Sequence, residues 1–190
     1  MPRHMRKGGP PRGVVLVELL VVFALTAVLL AIALPDYGAL VRRQQLRTAV
    51  VDLTGALALA RAQALARAGR VELVPLDAGG SNWNAGWVVL VDRDGDRRPG
   101  PGDERIAVHG PLPAGMALTT AFSTHQQPDY IAFNSGGRGC RADSALAARF
   151  GTLTLRAGDE QRRVIINMLG RVRVCDPLRD GDSCGADAGP

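Results

Sequence analysis

Hydrophobic positions divide the chain into three stretches of different period. Residues 14–34, VVLVELLVVFALTAVLLAIAL, form an apolar run whose single charge is Glu18. At about 1.5 Å per residue, a helix of that length crosses roughly 30 Å of hydrocarbon. A carboxylate near one end of such a run is costly in lipid, so Glu18 is expected to have a partner and a task. Pro35 follows, and a bend is expected there rather than an end. Helical spacing resumes at once, with Leu46, Val50, Leu53, Leu57, Ala60, Ala64 and Ala68 recurring at three and four. Arg42, Arg43, Arg47, Asp52, Arg61 and Arg67 fall mostly off that stripe. Gly69 is the expected C-cap, and the helix from 14 to 68 would measure about 80 Å.

Beyond Gly69 the period shortens. Runs at 71–74, 87–91, 106–108, 116–120, 130–133, 152–155, 163–166 and 171–174 are β-like and are punctuated by Gly, Pro and Asp. The predicted fold class is α+β: a long N-terminal helix packed on an antiparallel β-sheet domain. The last ten residues read as a loose tail.

The stretch before the apolar run, MPRHMRKGGPPRG, carries Arg3, Arg6, Lys7 and Arg12 and no acid. A secretory signal places its cleavage site after the apolar stretch. Here Gly13 stands before it, so a cut at Gly13 leaves the hydrophobic helix on the mature chain. A short basic leader, Gly, and an apolar helix with Glu at its fifth position together resemble the class III signal of type IV pilins and pseudopilins. The resemblance implies cleavage by a prepilin peptidase between Gly13 and Val14 and methylation of the new N-terminus at Val14. The family usually has Phe at that place. It also implies that Glu18 pairs with the N-terminal amine of a neighbouring subunit during assembly, and a buried carboxylate neutralised by a cation is physically tolerable. A plain single-pass anchor with Glu18 at headgroup level is the bland alternative.

Four further segments occur in order: ALARAQALARAGRVEL, GWVVLVDRDGD, YIAFNSGGRG and VIINMLGRVRV. Together they resemble the FimT/GspH class, minor pilins of type IV pili and minor pseudopilins of type II secretion, with FimT the nearer. This implies a leader at 1–13, a transmembrane and assembly helix at 14–34, its amphipathic second half at 35–69, a β-rich globular domain at 70–180, and the tail at 181–190. The implied partners are other major and minor pilins, the prepilin peptidase, the inner membrane and double-stranded DNA. The implied placement is single-pass in the inner membrane with the C-terminal domain in the periplasm, then in the pilus at the cell surface. Positive leader residues staying cytoplasmic agree with that orientation.

Charge alters the picture little. The formal net charge is +5, but removing the leader's four basic residues leaves 19 basic against 18 acidic. Whole-chain charge is therefore no argument for nucleic acid, and local clustering must carry it. An outward domain meets an oxidising compartment where disulfides persist. Cys175 and Cys184 bracket a polar segment and are the favoured pair. Cys140–Cys175 and Cys140–Cys184 stay open, since spacing does not fix connectivity.

In Gly170-Arg171-Val172-Arg173, strand alternation puts Arg171 and Arg173 on one face. Two guanidiniums at one hairpin suit phosphate oxygens. A GRxR motif at this place resembles the one by which FimT-type minor pilins bind DNA in natural transformation. Arg138, Arg141, Arg162 and Arg163 are candidate additions to the patch, and Asp176, Asp180 and Asp182 are candidate screens against it. No aromatics interleave, so base stacking is not indicated.

Asp92, Asp94, Asp96 and Asp103 echo a calcium-loop spacing, but Arg97 stands where that loop needs Gly, and a hairpin turn is favoured. Trp87 is expected in the core and Trp83 in an exposed loop. His109 and His125 lie in separate loop-like contexts with no nucleophile or base motif, so no enzyme activity, cofactor or metal is expected. The rival functions are a type II secretion minor pseudopilin acting through protein contacts, and a membrane-tethered enzyme with a cleft at His109 or His125.

Overall fold

The computed structural model describes residues 12–185, without the side chains of 12–15 and 31–36. Most of the expected leader, the side chains beside the Gly13–Val14 bond, and residues 186–190 of the tail therefore lie outside the described residues. The chain divides into two compact units, Met1–Val41 and Arg42–Pro190.

Helix α1 spans Arg12–Ala66. Helical structure continues past Pro35, and the expected bend there falls among side chains that are not described. In the first unit, the large apolar side chains between Leu16 and Leu30 are exposed, Phe23 by 70%. In the second unit the helix buries Leu46, Ala49, Val50, Leu53, Leu57, Ala60 and Ala64, which is the predicted stripe with Ala49 added and without Ala68, an exposed residue past the helix end. Its end differs from expectation. Ala68, not Gly69, takes the left-handed conformation at φ 49°. The Gly69 amide then bonds the Ala64 carbonyl at 3.1 Å and the Ala68 amide the Leu65 carbonyl at 3.3 Å, a Schellman closure built on alanine.

Two antiparallel sheets follow, not one. In chain order the strands are β1 (Val71–Pro75), β2 (Trp87–Val91), β3 (Glu104–His109), β4 (Met116–Phe122), β5 (Ile131–Phe133), β6 (Gly139–Cys140), β7 (Gly151–Ala157), β8 (Glu160–Ile166) and β9 (Val172–Cys175). The first sheet has the order β3-β2-β1-β5-β6, the second β4-β7-β8-β9. One apolar core joins α1 to the inner faces of both sheets, through Leu73, Val89 and Phe133 of the first and Leu118, Leu155 and Val164 of the second. Each fully buried leucine there contributes roughly 2 kcal/mol.

The two sheets read differently in sequence because their outer faces differ. The second alternates, as a sheet with one wet face does. The first carries continuous apolar runs such as WVVLV, because a second cluster of Val74, Val88, Leu90, Tyr130, Ala132 and Cys140 lies behind it. Trp83 is a correction: it sits in a 3₁₀ turn, Trp83–Ala85, and is 2% exposed. Its indole Nε1–H donates to Asp129 Oδ2 at 2.8 Å.

The tail is a second correction. A 3₁₀ turn at Gly181–Cys184 occupies its start, directly after helix α2 (Pro177–Asp180). A Cys175–Cys184 disulfide holds that turn, with Cα atoms 5.7 Å apart. Cys184 is buried beside Ile165.

Candidate nucleic-acid interface

Hairpin turns position the arginines. The β8–β9 register pairs Ile165 with Arg173 and Ile166 with Val172. Val172 packs on the core, so Arg173 faces outward, and both Arg171 and Arg173 are exposed. The turn between these strands is Asn167–Arg171. Its Asn167 amide donates to the Arg171 carbonyl at 3.0 Å, and the Gly170 amide to the Asn167 carbonyl at 2.9 Å. Asn167 Oδ1 accepts from the amides of Leu169 at 3.0 Å and Arg171 at 2.9 Å. Gly170, at φ 72°, supplies the left-handed residue that closes a three-residue loop.

The β5–β6 turn, Asn134–Arg138, repeats this geometry. The Asn134 amide donates to the Arg138 carbonyl at 3.0 Å and the Gly137 amide to the Asn134 carbonyl at 2.8 Å. Asn134 Oδ1 accepts from the Gly136 amide at 3.0 Å and the Arg138 amide at 3.1 Å. Gly137 has φ 69°. The two turns touch: a Cβ on Gly170 would strike the Gly137 carbonyl oxygen.

The predicted arginines separate into two groups. Among the described residues, no side chain pairs with Arg138, Arg171 or Arg173, and all three are exposed. Arg141 is held by Asp143, whose hydrogen bonds push the guanidinium above its ordinary value. Arg162 points to the opposite face from Arg163, as alternation demands, and pairs with Asp176 at 3.0 Å and Glu160 at 3.5 Å. Arg163 donates to the Cys184 carbonyl at 3.0 Å. Arg141, Arg162 and Arg163 are thus engaged within the fold and do not join the exposed set. Asp176 faces Arg162 and caps α2 through the Leu178 amide, so it is committed away from Arg173.

Sequence reading missed Arg61. It reaches from α1 under both turns: its Nε, buried without a partner, lies 3.0 Å from where a Gly137 Cβ would stand. Its Nη2 is 3.5 Å from the Leu169 carbonyl oxygen. The available signal was the repeated Asn-x-x-Gly-Arg spacing, which marks two matching turns, but the helix residue beneath them had no local signature.

Other candidates resolve as structure. The four carboxylates of Asp92, Asp94, Asp96 and Asp103 cluster within 4.8 Å. They accept from backbone amides of Gly95, Arg97, Asp96, Arg98, Arg93 and Gly100, which satisfies a tight turn. His109 stacks on Trp87 at 4.0 Å and its Nε2 lies 3.2 Å from Asp52 on α1, so it braces helix against strand. Arg149, buried between the Phe122 and Tyr130 rings, pairs with Asp129 at 2.8 Å, and burial lowers its pKa. Cys140 is a free, buried thiol pushed up to about 11 by that burial.

A helix with an exposed apolar N-terminal part, continuing into a helix-braced antiparallel domain, defines the pilin-like class. The family of the type II transport protein GspH matches residues 49–170, and this chain belongs to it. The pilin-like protein PilA1 of Thermus thermophilus is 30% identical over 168 residues, 86% of this chain and 97% of that protein. The crystal structure of the type IV minor pilin FimU of Pseudomonas aeruginosa (strain PAO1) superposes at TM-score 0.55 and 17% identity, over 75% of this chain and 97% of that one. A second crystal form of FimU gives 0.53 and 15% identity, over 73% of this chain and 99% of that one. At such identity the FimU likeness concerns fold. The protein is therefore a pilin-like minor pilin or pseudopilin with one N-terminal apolar helix of the membrane-anchoring kind.

Proposed function

We propose that this is a FimT-type minor pilin that assembles into a type IV pilus and binds double-stranded DNA non-specifically for uptake. Prepilin peptidase cuts after Gly13 and methylates Val14, and Glu18 neutralises a neighbouring subunit's N-terminus as the helix at 14–34 leaves the inner membrane. The domain at 70–180 is carried outward through the periplasm to the cell surface.

The observation that supports DNA binding best is the pair Arg171 and Arg173, exposed and, among the described residues, without a pairing carboxylate, while the nearby Arg141 and Arg162 are paired with acids. Guanidiniums presented this way match phosphate oxygens, and contacts to phosphate carry no base information. The test is fluorescence anisotropy of a labelled duplex with the full chain in non-ionic detergent, across a salt series. Binding should weaken steeply with salt, and Arg171→Gln/Arg173→Gln should lower the log–log salt slope by about 2. No binding at low salt, or equal binding by the variant, overturns the assignment.

The second reading is a type II secretion minor pseudopilin, favoured by the description of the matching family. It predicts that protein-subunit contacts persist unchanged in the arginine variant.

A further inference from the structure

We propose that the phosphate-binding element is bipartite. The backbone of the nucleic acid crosses the seam between the two Asn-x-x-Gly-Arg turns, held by Arg138 from one, Arg171 from the other and Arg61 from below. This rests on the DNA-binding reading above and assigns it residues that the GRxR resemblance does not contain.

Four observations support it. First, the turns are copies. In each, Asn Oδ1 accepts from the amide of the arginine itself, at 3.1 Å for Arg138 and 2.9 Å for Arg171, so each arginine's backbone is fixed by the asparagine four residues earlier. Second, the copies are in contact through glycine. Gly170 packs against the Gly137 carbonyl and the Phe133 ring, an approach that any side chain would block. Arg138 and Arg171 each follow a touching glycine, so with two Cα steps of about 3.8 Å added to the glycine contact their Cα atoms lie within roughly 14 Å of each other. Third, among the described residues neither guanidinium has a carboxylate partner, whereas Arg141 and Arg162 do. Fourth, Arg61 brings a third cation to the same seam with a buried, unpartnered Nε. It lines an open groove of about 420 Å³ with Leu57, Leu65, Gly170 and Val172. That groove runs between α1 and the start of β9 and places Arg61 beside Gly170.

Three guanidiniums around one glycine seam, none of them in a salt bridge among the described residues, are arranged for a polyanion with repeated charges. Arg138 and Arg61 contact phosphate. Asn134 and Asn167 are positioning residues, acting through the arginines whose amides they hold.

The test is duplex binding by the full chain in non-ionic detergent at several salt concentrations. Arg138→Gln changes an exposed side chain. It should weaken binding several-fold and lower the salt slope by about 1, beyond the loss from Arg171→Gln/Arg173→Gln. Asn134→Ala should weaken binding in the otherwise native chain and have no further effect in the Arg138→Gln background, because it acts through that residue. A purely structural asparagine would weaken both backgrounds equally. Should Asn134→Ala fail to fold, Arg138→Gln still decides. Unchanged affinity and slope in Arg138→Gln, with binding lost in Arg171→Gln/Arg173→Gln, overturns the bipartite site and leaves DNA binding standing. Absence of binding by the native chain at low salt overturns both.

Discussion

At the scale of single residues, the least expected group is Glu72. It points from β1 into the small cluster behind the first sheet and is fully buried. Arg70 Nε lies 2.8 Å from one carboxylate oxygen, off the line of a hydrogen bond, so neither oxygen accepts a well-aligned donor. Burial raises its pKa from 4.5 to about 7, with Arg70 and Arg97 opposing and Asp92 assisting. The unfolded chain therefore releases this proton at lower pH than the folded one. The stabilising contribution is whole below about pH 4.5 and is lost as pH rises to about 7, by ~3 kcal/mol. Glu72→Gln removes the titration. Its urea midpoint relative to the native chain should rise between pH 4.5 and pH 8. A pH-independent difference would mean the carboxyl is equally charged in both states. An apolar strand pattern gives little hint of such a residue: VELV reads as a strand with one polar side chain, and only the loops from other segments show that its face is closed.

At the scale of elements, helix ends and turns separate what local sequence decides from what it does not. The 3.6-residue stripe from Leu46 to Ala64 was legible because the helix presents one face to a core. Its stop was misplaced by one residue, since Gly69 looks like the left-handed residue and Ala68 is that residue. Alanine in that conformation costs about 1 kcal/mol. Ala68→Gly should therefore raise the thermal midpoint, with a gain of roughly 0.5–1 kcal/mol by denaturant unfolding. A loss would mean that the entropy of the unfolded glycine chain outweighs the relieved strain. Most strands were legible as short β-like runs set off by turn residues. The two-residue β6 was too short to leave a pattern, and Trp83 was misread because Asn82 and Asn84 look like a loop while its partner Asp129 is remote in sequence. The exposed arginine pair was visible as GRVR. That Arg141, Arg162 and Arg163 are engaged elsewhere, and that Arg61 lies beneath the turns, depends on tertiary neighbours that spacing does not reveal.

At the scale of the domain from Arg42 onward, one core serves two sheets. Leu57 is fully buried in the cluster that joins α1 to both. Leu57→Ala should cost about 2–5 kcal/mol. Because the core is shared, amide exchange in β1 and β8 should accelerate together in that variant. Acceleration in one sheet alone would show that the sheets hold separate stabilities. The third cysteine has a consequence for how such a domain matures. An odd number of thiols ordinarily invites scrambling during oxidation. Here Cys140 lies behind the first sheet with its thiolate disfavoured, while Cys175 and Cys184 meet across a short segment at the other sheet's edge. Once β6 has paired with β5 and Cys140 is packed among Val74, Leu90 and Tyr130, it is a spectator, and the chain enters oxidation with an effectively even count and a single partner for each reactive sulfur.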